Sequence, residues 1–168
     1  MRWKEGSLIK RNTQSPGIHS NTMKSNYLPY KIFQEESQRL FRFLENYNLN
    51  LASVEEGPIN VGTHLTYKSS LVAVQLGFEP QERLILVYLI KLKDKQIPTY
   101  PTHTYYIDEL IGIKSPSLKI PHQRSDAVLT RTGIIQVLSQ YATFLRKYGK
   151  NILRGDFSEV EGIRRRSS

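Results

Sequence analysis

Residues 59–92 decide the fold and read INVGTHLTYKSSLVAVQLGFEPQERLILVYLIKL. Over residues 59–68, every second residue from Ile59 onward is apolar, threonine or tyrosine, and the residues between them are mostly small or polar. This alternation predicts a strand with one face exposed to solvent. Apolar side chains again recur at every second position over residues 72–78, and residues 84–92 are apolar on both faces as far as Leu89. We predict three consecutive strands, with the third at the centre of the sheet.

The connections around these strands are short. Residues 79–81 form a turn that contains Pro80, and residues 93–96 form a polar turn. Parallel strands need crossovers of about a dozen residues or more, so these gaps predict antiparallel pairing. The alternation of Leu49 and Leu51 with polar residues predicts a further strand, and two prolines in residues 98–101 restrict the segment after the third strand to an edge strand or loop.

A helix is predicted on each side of the strands. Over residues 33–47 the apolar positions recur at steps of seven, four and three, which is typical of an amphipathic helix, and Asn46 and Asn48 mark its end. A longer helix follows a seam of residues at steps of four and three: Ile134, Leu138, Tyr141, Leu145, Tyr148 and Ile152. We predict Thr132 as its N-cap and Gly155 as its left-handed stop.

This order of elements predicts an α+β fold. We expect an antiparallel sheet of about four to five strands, with an N-terminal helix and a long C-terminal helix packed on one face. Residues 108–111 have the length of one helical turn only, and residues 112–126 are predicted to be a long irregular connection.

The net charge of +9 lies mainly at the two ends of the chain of 168 residues. Residues 1–26 contain five basic residues and one acidic residue, residues 146–168 contain seven and three, and the remainder holds only +1. We predict a basic flexible leader over residues 1–26, a single domain over residues 27–158 and a basic tail over residues 159–168. An equally good interpretation is that translation begins at Met23 and that residues 1–22 have no role in the fold.

The composition favours a cytoplasmic protein. There is no cysteine, so disulfides and thiolate metal sites are excluded. The longest apolar run, residues 84–90, is far shorter than the roughly 20 residues that span a bilayer, and the N-terminus lacks the apolar core of a secretory signal. We therefore predict no membrane partner.

Catalytic motifs are not apparent. No two of the four histidines have the helical spacing of paired metal ligands, and Gly-rich phosphate loops and a nucleophile elbow are missing. We predict no metal, no cofactor and no catalytic residue. His64, on the polar face of a predicted strand, is the most interesting histidine, but a lone titratable group does not define an active site.

Binding residues are predicted in a tyrosine-rich segment. Tyr100, His103, Tyr105 and Tyr106 follow three lysines and have the rings that stack on unpaired bases, but ordinary packing or a protein interface is the favoured interpretation, because aromatic side chains bury a large area. The remaining candidates are His64 and Lys68 on a strand, and Arg124 at the end of the long connection.

The stretch LRKYGKNILRGDFS, residues 145–158, resembles a segment of short uncharacterised bacterial α+β proteins, some of which look like immunity or accessory factors that act by binding. The resemblance implies no catalytic residue. We predict a non-enzymatic protein that binds a macromolecule, most readily a protein, through its sheet face or residues 100–124. The alternatives are an RNA- or DNA-binding accessory protein that uses the tails and the tyrosines, and thirdly an enzyme.

Overall fold

The computed structural model describes residues 28–57, 62–98, 103–120 and 123–164. In chain order the elements are α1 (Leu28–Phe41), a first 3₁₀ turn (Arg42–Tyr47), β1 (Asn50–Glu56), β2 (Thr63–Lys68), β3 (Val72–Glu79), β4 (Leu84–Lys91), β5 (Thr104–Tyr106), α2 (Ile107–Lys114), a second 3₁₀ turn (Asp126–Leu129), α3 (Arg131–Tyr148), α4 (Lys150–Leu153) and α5 (Ser158–Arg164). Within these ranges, no helix has the length and apolar character needed to cross a membrane.

The strands form one five-stranded antiparallel sheet in the order β1-β2-β3-β4-β5. Each strand pairs with the next along the chain, as their short connections require. The predicted α+β fold and antiparallel sheet are therefore confirmed. The predicted centre is wrong, because β3 is the middle strand and the doubly apolar β4 lies beside the short edge strand β5.

The helices described above pack on one face of the sheet, here called the core face. A single hydrophobic cluster joins Phe33 of α1, Ile107 of α2, Leu138 of α3 and Val160 of α5 to alternate strand residues such as Leu76. The ring of Phe33 stacks on Phe78 of β3 with 5.3 Å between centroids. The expected one-sided packing of the N-terminal and long C-terminal helices is confirmed.

A buried carboxylate joins the two main helices. Glu36 of α1 is only 6% exposed, and it forms ion pairs of 2.6 Å with Arg39 and 3.0 Å with Arg131 of α3. Burying a charge is tolerated when it is paired in this way. The helix itself begins at Leu28, earlier than predicted, and after the first 3₁₀ turn the chain reverses at Asn48, whose φ is 59°.

The long C-terminal helix differs from the prediction at both ends. Thr130, not Thr132, is the N-cap, because its side chain accepts a hydrogen bond from the Gly133 N–H. The helix ends at Tyr148, and Gly149 separates it from the short α4. Gly155 has the expected left-handed φ, 98°, but it follows α4 rather than α3.

Part of the predicted basic tail belongs to the folded body. Residues 158–164 form α5, and Val160 is fully buried in the hydrophobic cluster. The Lys91 ammonium on β4 also pairs with Glu161 at 2.7 Å. The boundary predicted at residue 158 therefore falls at the start of a packed helix, while the predicted leader, residues 1–26, lies outside the described residues.

One side chain fastens the long connection to the sheet. The amide of Gln123 donates to the Ile85 carbonyl at 2.6 Å and accepts from the Ile85 N–H at 3.1 Å, as a neighbouring strand would. It also donates to the Tyr141 hydroxyl at 2.9 Å. Burial raises the pKa of Tyr141 further above neutrality, so this phenol stays protonated. The segment predicted to be irregular is thus held against β4 and α3.

Candidate functional site

The face of the sheet opposite the core face carries no described helix, and we call it the open face. Side chains alternate along a strand, so the register assigns its residues. They are His64, Thr66 and Lys68 of β2, Ala73, Gln75 and Gly77 of β3, Leu86, Tyr88 and Ile90 of β4, and Thr104 and Tyr106 of β5. Among these residues Tyr106 is the exposed one, and Thr66, Ala73, Gly77 and Ile90 are buried, so this face is only partly open to solvent.

Two tyrosines from neighbouring strands meet on the open face. Tyr88 of β4 is the register partner of Tyr106 of β5, and their ring centroids are 5.0 Å apart. Tyr106 is 45% exposed, and Tyr88 is half-buried. Desolvation by burial, with the nearby Tyr106 and Glu79, raises the pKa of Tyr88 to about 12. Its hydroxyl also forms a side-chain hydrogen bond with Tyr106, which favours the neutral phenol, so it is protonated at neutral pH.

A histidine extends this pair across the sheet. A Cβ added to Gly77 would lie 2.9 Å from the His64 Cδ2 and 3.7 Å from the Tyr88 ring. The absence of a side chain at Gly77 therefore lets the imidazole lie close over the β3 backbone, next to Tyr88. His64, Tyr88 and Tyr106 together form what we call the aromatic patch. Beside it, the Gln75 amide donates to the Thr66 hydroxyl at 3.3 Å.

The charge of the open face is small and not basic. Among the strand residues that the structure describes, the same alternation also places Glu55, opposite His64, and Glu79 on this face, and Lys68 supplies its one ammonium. Exposed basic side chains such as Arg146 and Lys147 lie instead on α3, which packs on the core face. The open face can therefore offer aromatic surface and hydrogen bonds, but little attraction for phosphate.

Three of the predicted binding residues share the open face. His64 and Tyr106 belong to the aromatic patch, and Lys68 lies two residues along β2 from Thr66. Its buried neighbour Thr66, 3% exposed, corrects the expectation that this whole side of the strand is wet. In the register Thr66 lies between Ser53 of β1 and Gln75 of β3.

The other predicted residues lie elsewhere. Tyr105 is wrong as a surface residue: it points to the core face, is 2% exposed and lies 5.4 Å from the Phe157 ring, because neighbours on a strand face opposite ways. His103 is half-buried just before β5. Arg124 is exposed beside the β3–β4 turn, where its N–H donates to the Arg83 carbonyl at 2.9 Å. Tyr100 lies outside the described residues.

Tyr88 and Gly77 were not predicted as site residues. The two-residue period of residues 84–90 does place Tyr88 on one side with Leu86 and Ile90, so a partial signal exists. The pairing of β4 with β5 is what brings Tyr88 beside Tyr106, and that register has no local signature. The role of Gly77 becomes visible only in the structure, where the His64 ring of the adjacent strand occupies the space that a side chain at Gly77 would need.

Comparison with known proteins finds no matching family model, no matching curated protein and no matching solved structure. The function is therefore inferred from the geometry of this chain alone.

Proposed function

We propose that this chain is a non-enzymatic binding protein that holds another protein against the open face of its sheet. The aromatic patch is the observation that supports this most, because it offers ring surface, with Tyr106 45% exposed, on a side that no described helix covers. Tyrosine is enriched at protein interfaces because one side chain supplies both apolar area and a polar tip.

A protein partner is favoured over RNA or DNA by the charge of the same surface. Binding to nucleic acid depends on lysine and arginine contacts with phosphates, and the described strands place two acidic side chains and one basic one on the open face. The tyrosine-rich segment is also a weaker stacking platform than its sequence indicates, because the Tyr105 ring packs in the core. A cytoplasmic immunity or accessory factor, as implied by the resemblance of residues 145–158, is the kind of protein we propose.

Site-specific photo-cross-linking in the native host tests this proposal. A photo-reactive phenylalanine analogue is placed at Tyr106 in the full chain, and in a matched variant at Gln38, which is exposed on α1 on the opposite side of the molecule. We expect position 106 to cross-link one defined protein, and position 38 to leave that protein uncross-linked.

Cross-linking of the same species from both positions would show adventitious proximity and count against the proposal. A nucleic acid as the main product at position 106 would support the alternative function instead. The absence of any product from position 106, with the variant folded and expressed, would also contradict a partner on the open face.

A further inference from the structure

The two edges of the sheet differ in how well they are protected against pairing with another strand. β5 is three residues long and continues directly into α2. β1 has seven residues, contains neither proline nor lysine, and is the last strand on its side among those that the structure describes. Proteins usually protect an edge with a short strand, a proline or a lysine. β1 therefore keeps a row of backbone groups that can pair with a further strand.

The pairing of β1 with β2 identifies these backbone groups. The Gly57 N–H donates to the Gly62 carbonyl at 2.9 Å, which makes these two residues a hydrogen-bonded pair. Hydrogen-bonded and non-hydrogen-bonded pairs alternate along an antiparallel ladder. Counting back along β1 from Gly57, Glu56 and Val54 therefore direct their N–H and C=O groups away from β2, towards the free edge.

A bulge separates Val54 from the next outward residue. The register with β2 shifts between Leu51 and Ser53, so Ala52 is the extra residue of the bulge. Beyond it Leu51 is paired with Tyr67, which follows the hydrogen-bonded row of β2 by one residue, so Leu51 again faces outward. The outward backbone groups of β1 are thus those of Leu51, Val54 and Glu56.

Two apolar side chains accompany this row. Leu51 and Val54 are 42% and 41% exposed. Their register partners, Tyr67 and Leu65, belong to the hydrophobic cluster, so both exposed side chains lie at the margin of the core face. A strand that pairs here must offer an apolar side chain to them and must not place a carboxylate opposite Glu55 or Glu56, because opposed like charges destabilise a strand pair.

A second copy of β1 meets both requirements when it runs antiparallel about a two-fold axis at Val54. Val54 then lies opposite Val54 of the other copy, and Glu55 lies opposite Ser53, a residue whose hydroxyl can donate to a carboxylate. An axis at Glu55 or Glu56 would place two carboxylates opposite each other. An axis nearer the start of β1 would pair fewer residues or set the two bulges opposite each other.

We propose that the chain forms a weak symmetric dimer in which β1 pairs with β1 of a second copy, with Val54 at the two-fold axis. Such an axis is perpendicular to the sheet, so the two five-stranded sheets become one and both open faces point to the same side. Neighbouring strands are about 4.8 Å apart, which places the two Tyr106 residues about 40 Å from each other. Dimerisation does not depend on the protein-binding function proposed for the open face.

Single cysteines test the register, because the natural chain contains none. Residues of a hydrogen-bonded antiparallel pair have Cα atoms about 5.5 Å apart, within the range that a disulfide bridges. We expect full-length Val54→Cys to form a disulfide-linked dimer under mild oxidation, seen by electrophoresis without reductant. Leu51→Cys is the matched control, since Leu51 is equally exposed on the same strand. Its two copies would lie about 14 Å apart along the strands, so its disulfide should form at least about tenfold more slowly.

Sedimentation equilibrium of the unmodified full chain measures the affinity. We expect the mass to rise from that of one chain towards that of two, with a Kd of about 100 µM or tighter. Val54→Lys would set two ammonium groups opposite each other at the axis, and it should weaken the dimer about tenfold or more. Ile97→Lys introduces the same charge at a residue that is 44% exposed after β4, far from β1, and should change the Kd less than about twofold. Circular dichroism checks that each variant is folded.

A full chain that stays monomeric up to about 1 mM would overturn the proposal. Equal rates of disulfide formation in Val54→Cys and Leu51→Cys would also overturn it, because the register would then be wrong. A dimer that Val54→Lys leaves unchanged would have to be built on another surface, and this result would contradict the proposed pairing as well.

Discussion

Gly133→Ala is expected to destabilise the protein by about 3 kcal/mol, near the upper end of the usual cost of overpacking. A Cβ at Gly133 would come within 2.5 Å of both the carbonyl carbon and the carbonyl oxygen of Ala127 in the second 3₁₀ turn. These are backbone atoms, so no flexible side chain can yield, and α3 and the turn must separate. The same contact holds the Thr130 cap in place at the start of α3.

Gly112→Ala is the matched control, since it makes the same chemical change at an exposed position inside α2. A Cβ there meets no atom within 4 Å. Alanine is the better helix former, so we expect this variant to be more stable by about 0.5–1 kcal/mol. Urea unfolding followed by circular dichroism measures both variants, and similar shifts of the two midpoints would show that the close approach of α3 to the second 3₁₀ turn is wrong.

Leu138→Ala and Leu145→Ala are each expected to cost about 2–5 kcal/mol. Both leucines are fully buried in the hydrophobic cluster, as the seam of the long helix predicts. The lost stability is the sum of the transfer free energy of the removed carbons and the free-energy cost of the cavity that they leave. Thermal and urea unfolding of each variant provide the measurement.

Thr132→Ala serves as the control on the same helix. Thr132 is exposed and Thr130 provides the cap, so this substitution should change the free energy of unfolding by less than about 0.5 kcal/mol. A large loss at Thr132, with little at Leu138 and Leu145, would mean that α3 presents a different side to the sheet.

Periodicity predicts the elements that repeat a simple pattern, and here it succeeded for β2, β3, β4 and α3. It could not identify the central strand. β4 is apolar on both faces because Leu86 and Ile90 lie on the open face, and this pattern is also the one that a central strand shows. The cap of α3 was misplaced by two residues, since Thr130 and Thr132 are chemically identical and only the position of Gly133 distinguishes them.

The candidate site was predictable only in part. His64, Lys68 and Tyr106, named from the sequence, lie together on the open face, but Tyr105 beside Tyr106 points the opposite way, a distinction that depends on which side the helices cover. β1 shows the same limit: it is an edge strand, and Leu51 and Val54 are 42% and 41% exposed despite an alternating sequence.

The affinity of the protein partner for Tyr106→Ala, compared with the wild-type chain and with Gln38→Ala, tests the proposed open-face interface most directly. Tyr106 is 45% exposed on its edge strand and its ring packs on Tyr88, so its loss should cost at most about 1 kcal/mol of stability, and the affinity is measured on a variant shown to be folded. We predict an affinity about tenfold weaker or more for Tyr106→Ala, no change for Gln38→Ala, and little dependence on salt between about 50 and 200 mM. An unchanged affinity of Tyr106→Ala, or a steep loss with salt in the wild-type chain, would contradict a protein interface built on the aromatic patch.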